Sequence, residues 1–431
     1  LKEKFDTIIV GAGPAGCIAA YQLAKAGLTV LVLERGEYPG SKNVFGGILH
    51  TSTLNRLFPQ FWEEAPVERY IVKRVLVLLG EKSSTSLEFR CQDYGNPPYN
   101  GFTTFRAKFD RWLAGKAEEA GALIMTDTRV DDLLYKNGNV IGVKVAKSEG
   151  DVFGDVVIAA DGVNSLIAKK AKLRKPFLPE HLALGIKETW ELPKGLIEKR
   201  CDLSGNEGAA YLFVGESTKG LEGGSFIYTN KKSLSIGITC YLNSLIRERK
   251  KPSEVIENFK KHPVVSDFIR EGSMREYSTH LIPEGGLHMM PQLYSGGILL
   301  AGDAAGFTVN NGLNVRGADF AIASGIIAAK TVLKAKKKAD FSKNSLSIYK
   351  KLLAESFVLK DLKTYTGIST LLKKKSTYEI YLPMISDLVK GMYDVGNYPQ
   401  KKISRMVWDK VREKRSIGLF LKDIFQGIRS L

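Results

Sequence analysis

The sequence predicts an α/β protein: a discontinuous parallel-sheet domain, interrupted by a second domain built on an antiparallel sheet and followed by a helical C-terminal region. Three observations carry this. A strand–glycine turn–helix–strand unit fills the first 35 residues, a second buried strand runs into a glycine-rich turn near residue 300, and the 172–285 stretch between them alternates apolar and polar positions.

Residues 5–10 are a short β-branched run that stops at Gly11-Ala12-Gly13-Pro14-Ala15-Gly16. Helical spacing follows over 17–26, then Gly27 and a second apolar run, 28–33, ending at Glu34-Arg35. Residues 72–105 read as short strands with turn residues at Asn96-Pro97-Pro98, and 108–120 as a helix. Gly138-Asn139 marks a hairpin, and 156–160 a buried strand ending in Asp161-Gly162. In the middle of the chain 212–214, 224–228 and 234–241 read as antiparallel strands, and 252–271 as one helix. Residues 297–302 return to a buried strand, followed by a glycine-rich turn and a long helix that starts near Gly312 and runs to about Lys338. The parallel-sheet domain is therefore expected from 1–71, 100–171 and 286–338. The antiparallel-sheet domain takes 72–99 and 172–285, and a basic helical region takes 339–431.

A chain of 431 residues with 44% apolar and 25% charged residues is long enough for several cores and balanced like a globular protein. No apolar run reaches the length of a spanning helix, and the first residues carry no signal-like apolar core, so a cytoplasmic protein is expected. Cys17, Cys91, Cys201 and Cys240 are far apart. They provide no disulfide framework, zinc site or iron–sulfur ligand set, and none of the five histidines stands at metal-ligand spacing. Net charge is +17, and the last 101 residues hold 22 Lys/Arg against 9 Asp/Glu. Such a tail seeks an anionic partner (acidic protein, lipid headgroups or nucleic acid) or is a set of solvated helix faces.

Gly11, Gly13 and Gly16 stand at the spacing that permits a tight turn, a close approach of backbone to a pyrophosphate, and a helix packed against its strand. The helix N-terminus at Pro14 and Ala15 offers free N–H groups to phosphate. Glu34, eighteen residues beyond Gly16 and followed by Arg35, is placed to accept from an adenosine ribose. This motif does not separate NAD from FAD; the second one does. Leu299-Leu300-Ala301-Gly302-Asp303-Ala304-Ala305-Gly306 resembles the ribityl-binding segment of glutathione-reductase-type flavoproteins. The resemblance implies that Asp303 bonds the ribityl chain of FAD. It also implies that the helix beginning at Gly312-Leu313-Asn314 turns its positive end to the flavin. The fold class is thus a glutathione-reductase-type FAD-binding Rossmann domain.

Ala160-Asp161-Gly162-Val163-Asn164-Ser165 is similar to the A-D-G-x-x-S segment of the hydroxybenzoate-hydroxylase-like branch. Arg106 matches that branch's pyrophosphate-side arginine, unless it is simply a surface residue of the helix start. Gly40-Ser41-Lys42-Asn43-Val44-Phe45-Gly46-Gly47, Ala65-Pro66-Val67-Glu68-Arg69, Gly223-Gly224-Ser225-Phe226-Ile227-Tyr228, Leu281-Ile282-Pro283-Glu284-Gly285-Gly286 and the run from Asn314 to Gly325 narrow it further. Nearly end to end, the chain resembles the electron transfer flavoprotein–quinone oxidoreductase family in its FixC-like branch. The resemblance implies an FAD enzyme, with Gly46, Gly47 and Val130 also at the cofactor. Electrons derived from an electron transfer flavoprotein would pass to a membrane quinone, with little side-chain acid–base chemistry. It further implies that Gly223 and Gly224 lie at the quinone headgroup, although a hairpin turn would want two glycines as well. Single-chain members end in a domain holding a four-iron cluster. No cysteine follows Cys240 here, so a small separate ferredoxin-like subunit is expected as a partner.

Ile417, Phe420, Leu421, Ile424, Phe425, Ile428 and Leu431 recur at helical spacing beside basic residues. That stripe suits peripheral attachment to the inner face of the cell membrane, or packing on the protein itself. His288 is a candidate proton shuttle. The rival readings are a geranylgeranyl reductase of the same fold and a flavin monooxygenase. Many such reductases carry a cysteine where this chain has Phe45. From another class comes a basic nucleic-acid-binding protein, which leaves the paired motifs idle.

Overall fold

In the computed structural model, which describes residues 4–42, 47–146, 150–397 and 399–430, the strand Lys4–Val10 sits at the middle of a parallel sheet. Val30–Leu33 and then Leu123–Met125 lie to one side, Asp151–Ala159 and then Ile298–Leu300 to the other. Tyr294–Ser295 closes an edge antiparallel, and the hairpin Val130–Lys136/Asn139–Val145 joins the start of Asp151–Ala159. Its turn centres on Asn137 and Gly138, both at positive φ, the geometry a two-residue hairpin prefers.

Register decides what this sheet can do. Val10 pairs with both Leu33 and Ala159, and Ala159 with Leu300. Four strands therefore end at one edge, and the residues that follow them (Gly11, Glu34, Ala160 and the turn at Gly302-Asp303) emerge side by side. In open parallel sheets that edge is where ligands bind.

The helix Pro14–Lys25 starts three residues earlier than its periodicity indicates, because Pro14 occupies the first turn, where its missing N–H costs nothing. It packs on the long helix Ala318–Lys337, and small residues set the distance. A Cβ on Gly325 would lie 2.4 Å from the Ala15 carbonyl oxygen. That long helix starts later than expected. Residues from Gly312 do not open it; Val309–Asn310 and Val315–Arg316 form a two-stranded hairpin instead. Asn310 and Asn311 accept from the N–H groups of Gly312, Leu313 and Asn314, and Gly312 takes φ +84, so local side-chain bonds win over helix. Likewise 252–271 is two helices, Pro252–Lys261 and Pro263–Ile269. Pro263 cannot donate into a continuing helix, and His262 caps the second by accepting from the Val264 N–H at 3.3 Å.

The second sheet has nine strands. Its order runs Ser273–Pro283, Leu182–Glu191, Ser233–Tyr241, Gly223–Thr229, Glu207–Gly215, Val67–Leu79, Gly101–Thr104, Gly47–His50, with Ser84–Arg90 also on Val67–Leu79. Every pair is antiparallel except Glu207–Gly215 with Val67–Leu79, which come from distant parts of the chain and lie parallel. Alternation gives this sheet two faces. Val77, Phe213, Ile227 and Ile238 are buried in a core with Val255, Ile256 and Phe259 of the helix Pro252–Lys261. Leu76, Leu212, Tyr228, Thr239 and Ile282 face a cleft over the cradle edge.

The C-terminal region is helical from Lys343 to Ser430, with short breaks. Its first helices complete the core of the parallel-sheet half: Leu346, Tyr349, Leu353, Val358 and Leu362 are buried there, and the Tyr349 hydroxyl donates to the Leu300 carbonyl at 2.7 Å. Among the described residues, later helices share a small cluster around Met384, Leu388 and Val411. Of the apolar stripe, Phe420 packs beside that cluster while Leu421 and Phe425 are exposed; the side chains of Ile417, Ile424, Ile428 and Leu431 lie outside the described residues. Among the described residues no helix is long and apolar enough to cross a membrane.

Candidate functional site

The cleft, about 520 Å³, lies between the cradle edge of the parallel sheet and the second sheet. Gly11 has φ +100 and packs so closely that a Cβ would lie 2.5 Å from the Ala160 carbonyl oxygen. A Cβ on Gly16 would lie 2.0 Å from the Gly11 oxygen. These two glycines shape the turn from within. Gly13 differs: its backbone is extended, and a Cβ would meet nothing nearer than the Arg106 guanidinium at 3.9 Å. It borders open space at the uncapped end of the helix Pro14–Lys25, where Pro14 and Ala15 also face the cleft. Bare main chain, a helix end with no side-chain cap and an arginine opposite have the chemistry that could hold a pyrophosphate.

Arg106 is mostly buried, not a surface residue, and holds Asp110 through two bonds of 2.7 and 2.8 Å. Phe105 precedes the helix Arg106–Glu119, so the helix begins on the arginine itself. Asp303 faces the cleft in the turn after Ile298–Leu300. Burial pushes its carboxyl above the usual range, while Arg106 and the Thr308 hydroxyl pull it back. Gly302 takes φ +61, with its N–H on the Ser324 hydroxyl at 2.9 Å.

Of the other anticipated positions, Ala160, Gly162, Gly47, Leu313, Asn314, Gly312 and both Gly223 and Gly224 line the same cleft. The glycine pair is not a hairpin turn. It opens the strand Gly223–Thr229, paired with Cys240 and Thr239, and Gly223 adopts φ +153 with no room for a Cβ beside the Thr239 oxygen. Glu34 directly follows the strand Val30–Leu33 and accepts from Ala12 at 2.9 Å and Gly36 at 2.7 Å, which orders the loop. Asp161 turns away to cap a helix, accepting from the Ser165 hydroxyl at 2.6 Å and the Ile167 N–H at 3.1 Å. Arg35 is exposed, while Val130 is buried in its strand and Gly306 in the turn after Asp303. Gly46 lies outside the described residues.

Sequence reasoning missed the polar groups on the second sheet's cleft face: His50, Arg74, Tyr228, Tyr241, His280 and Glu284. Arg74, which with Lys73 interrupts the apolar 71–79 run, was the available signal; its guanidinium bonds the Asn314 side chain and ties the sheet to the hairpin. His288 is exposed and does not line the cleft. His50 and His280 do, and burial holds each neutral, with a pKa of about 4 against the ordinary 6.5.

A neutral buried histidine binds fewer protons folded than unfolded, so its contribution is complete above pH 6.5 and is lost as pH falls towards 4. The expected loss is on the order of 3 kcal/mol per histidine. Urea unfolding of the wild type and a His50→Gln/His280→Gln variant at several pH values measures this as a difference. Parallel curves across that window would refute it.

A pyrophosphate cradle and a buried aspartate, set on neighbouring strand ends of a parallel sheet, are what an FAD-dependent oxidoreductase uses to hold its cofactor, and residues 4–179 match the family model for an FAD binding domain. Residues 368–431 match the ETF-QO/FixC family C-terminal domain. The chain belongs to the FixC/electron transfer flavoprotein–quinone oxidoreductase family. It is 42% identical over 434 residues to protein FixC of Escherichia coli (strain K12), covering all of both chains. It is 40% identical over 429 residues to the probable electron transfer flavoprotein-quinone oxidoreductase YdiS of the same strain, covering 100% of this chain and 99% of that one. Among solved structures, a geranylgeranyl bacteriochlorophyll reductase-like protein from Thermoplasma acidophilum superposes with a TM-score of 0.74 at 22% identity, covering 96% of each chain, and so shares the fold.

Proposed function

We propose that this FAD enzyme carries electrons from an electron transfer flavoprotein, through a separate ferredoxin-like iron–sulfur subunit, to a membrane quinone. One observation carries the reading: the residues that would hold the pyrophosphate and ribityl side of FAD and the Gly223-Gly224 pair line a single continuous cleft. Bound FAD supplies reversible storage of two electrons. Gly13, Pro14, Ala15 and Arg106 would hold its pyrophosphate, Gly302 and Asp303 its ribityl side, and Glu34 its adenosine ribose. Gly223 and Gly224 leave bare main chain where a flat ring needs close approach. Phe226 and Tyr228 continue that wall as stacked rings 4.7 Å apart.

The mouth suits an apolar tail. Leu87, Phe89, Leu313 and Val315 line it, and all four side chains are exposed. Exposed Trp408, Leu421 and Phe425, set among basic residues, suit peripheral attachment at the inner face of the membrane. A four-iron cluster needs four gathered cysteines, and Cys17, Cys91, Cys201 and Cys240 are scattered, with three of them buried; this supports a cluster carried by another subunit.

The test is anaerobic mixing of FAD-loaded, reduced protein with a short-chain quinone, following flavin absorbance and product. Rapid reoxidation with stoichiometric hydroquinone is expected. Reoxidation no faster than that of free reduced FAD, or saturation of a prenyl chain in place of quinone reduction, would overturn the reading.

A further inference from the structure

Tyr241, Tyr378 and Glu284 gather on the wall of the cleft beside Gly223. Glu284, which directly follows the strand Ser273–Pro283, is 5% exposed. Its N–H donates to the His181 carbonyl at 2.8 Å, its Oε2 accepts from the Asn310 amide at 3.2 Å, and the Tyr241 hydroxyl lies near its carboxyl. The Tyr378 hydroxyl donates to the Leu372 carbonyl at 3.0 Å, close to the main chain of Gly223, and feels the same carboxyl. Lys373, half-buried and not lining the cleft, has its ammonium 5.6 Å from the centre of the Tyr241 ring. The charge of Lys373 acts on both Glu284 and Glu180. Glu180 is largely exposed and lies 3.7 Å from His181. Among the described residues, the titratable groups facing Glu284 are thus Tyr241, Tyr378 and Lys373. Beyond Lys373 the line of groups reaches solvent.

Reduction of a quinone turns two C=O bonds into two O–H bonds and consumes two electrons and two protons. A reduced flavin in its anionic form yields two electrons and one proton, so one proton must come from the protein. We infer that Glu284 is the proton donor of the cleft: its carboxylic O–H breaks, the proton passes to a quinone oxygen, and the carboxylate is reprotonated from solvent by way of Lys373, His181 and Glu180. This rests on the quinone reading above and adds to it a side chain with acid–base work, which the sequence reading did not call for. Burial supports the assignment, since it keeps the carboxyl protonated above the usual range. Lys373 acts here as a positioning and relay residue.

The experiment compares FAD-loaded wild type with Glu284→Gln, Glu284→Asp and Lys373→Met. Glu284→Gln is expected to keep its flavin spectrum and to lose about 100-fold in the rate of reoxidation by a short-chain quinone. Glu284→Asp should recover part of that loss, and Lys373→Met should shift the pH profile of the rate. Ferricenium, which takes electrons without protons, should reoxidise wild type and Glu284→Gln equally fast. In flavin-free protein, infrared spectra at neutral pH should contain a protonated-carboxyl band that Glu284→Gln removes. Equal quinone rates in wild type and Glu284→Gln, or no such band, would overturn the donor role while leaving quinone reduction intact. Wild type that does not reduce quinone at all would overturn both.

Discussion

Gly13→Ala is expected to fold like the parent and purify with little yellow colour. The added methyl meets only the Arg106 guanidinium at 3.9 Å, and the extended backbone at Gly13 suits any residue. The methyl enters the space kept open for pyrophosphate. A clash there costs on the order of 1–3 kcal/mol, about 10- to 100-fold in FAD affinity. Gly16→Ala makes the opposite case. Its methyl would lie 2.0 Å from the Gly11 oxygen, against backbone that has no room to move, so the turn itself must open. That variant should lose flavin and stability together, on the order of 3 kcal/mol. Flavin titration alongside urea unfolding separates the two. Gly13→Ala with full flavin affinity, or with destabilisation matching Gly16→Ala, would contradict the division of roles.

Arg69→Met is expected to destabilise the protein by about 3–5 kcal/mol without altering flavin absorbance in the molecules that fold. The side chain of Arg69 is fully buried. Its Nε donates to the Asn230 carbonyl at 2.8 Å, and one terminal nitrogen donates to Glu207 at 2.9 Å and Gly205 at 3.2 Å. The other reaches the Glu198 carboxylate at 3.5 Å. One guanidinium thus satisfies carbonyls at the turn Asn230–Lys232 and at the start of Glu207–Gly215, and it binds both to the strand Val67–Leu79. Methionine fills much of the volume but donates nothing, so several buried oxygens lose their partners. Chemical denaturation measures the effect, and a loss below about 1 kcal/mol would show that water or neighbouring groups satisfy those carbonyls.

Arg69 also shows how far a sequence can be read. Its segment, Ala65 to Arg69, marked the family without saying what the arginine does, because the carbonyls it binds lie more than 130 positions further along the chain. The long helix was misplaced for a local reason. Gly312-Leu313-Asn314 has apolar and polar residues compatible with a helix start, but the preceding asparagines compete for the same N–H groups, and only a folded hairpin lets them win. The glycine pair at 223 had two plausible settings, a turn or a strand facing a ligand, and the strand pairing with Thr239 and Cys240 chose between them.

The chain's own residues determined the glycine turn and the strand before Gly302-Asp303, because each depends on spacing within one short segment, and the resemblance of several such segments along the chain pointed to FAD and the family. Tertiary structure alone decided that four strand ends share an edge and that His50, Arg74 and Glu284 meet in one cleft. These depend on register and on pairings between residues hundreds of positions apart, where small differences in packing free energy select one arrangement and no local pattern records the choice.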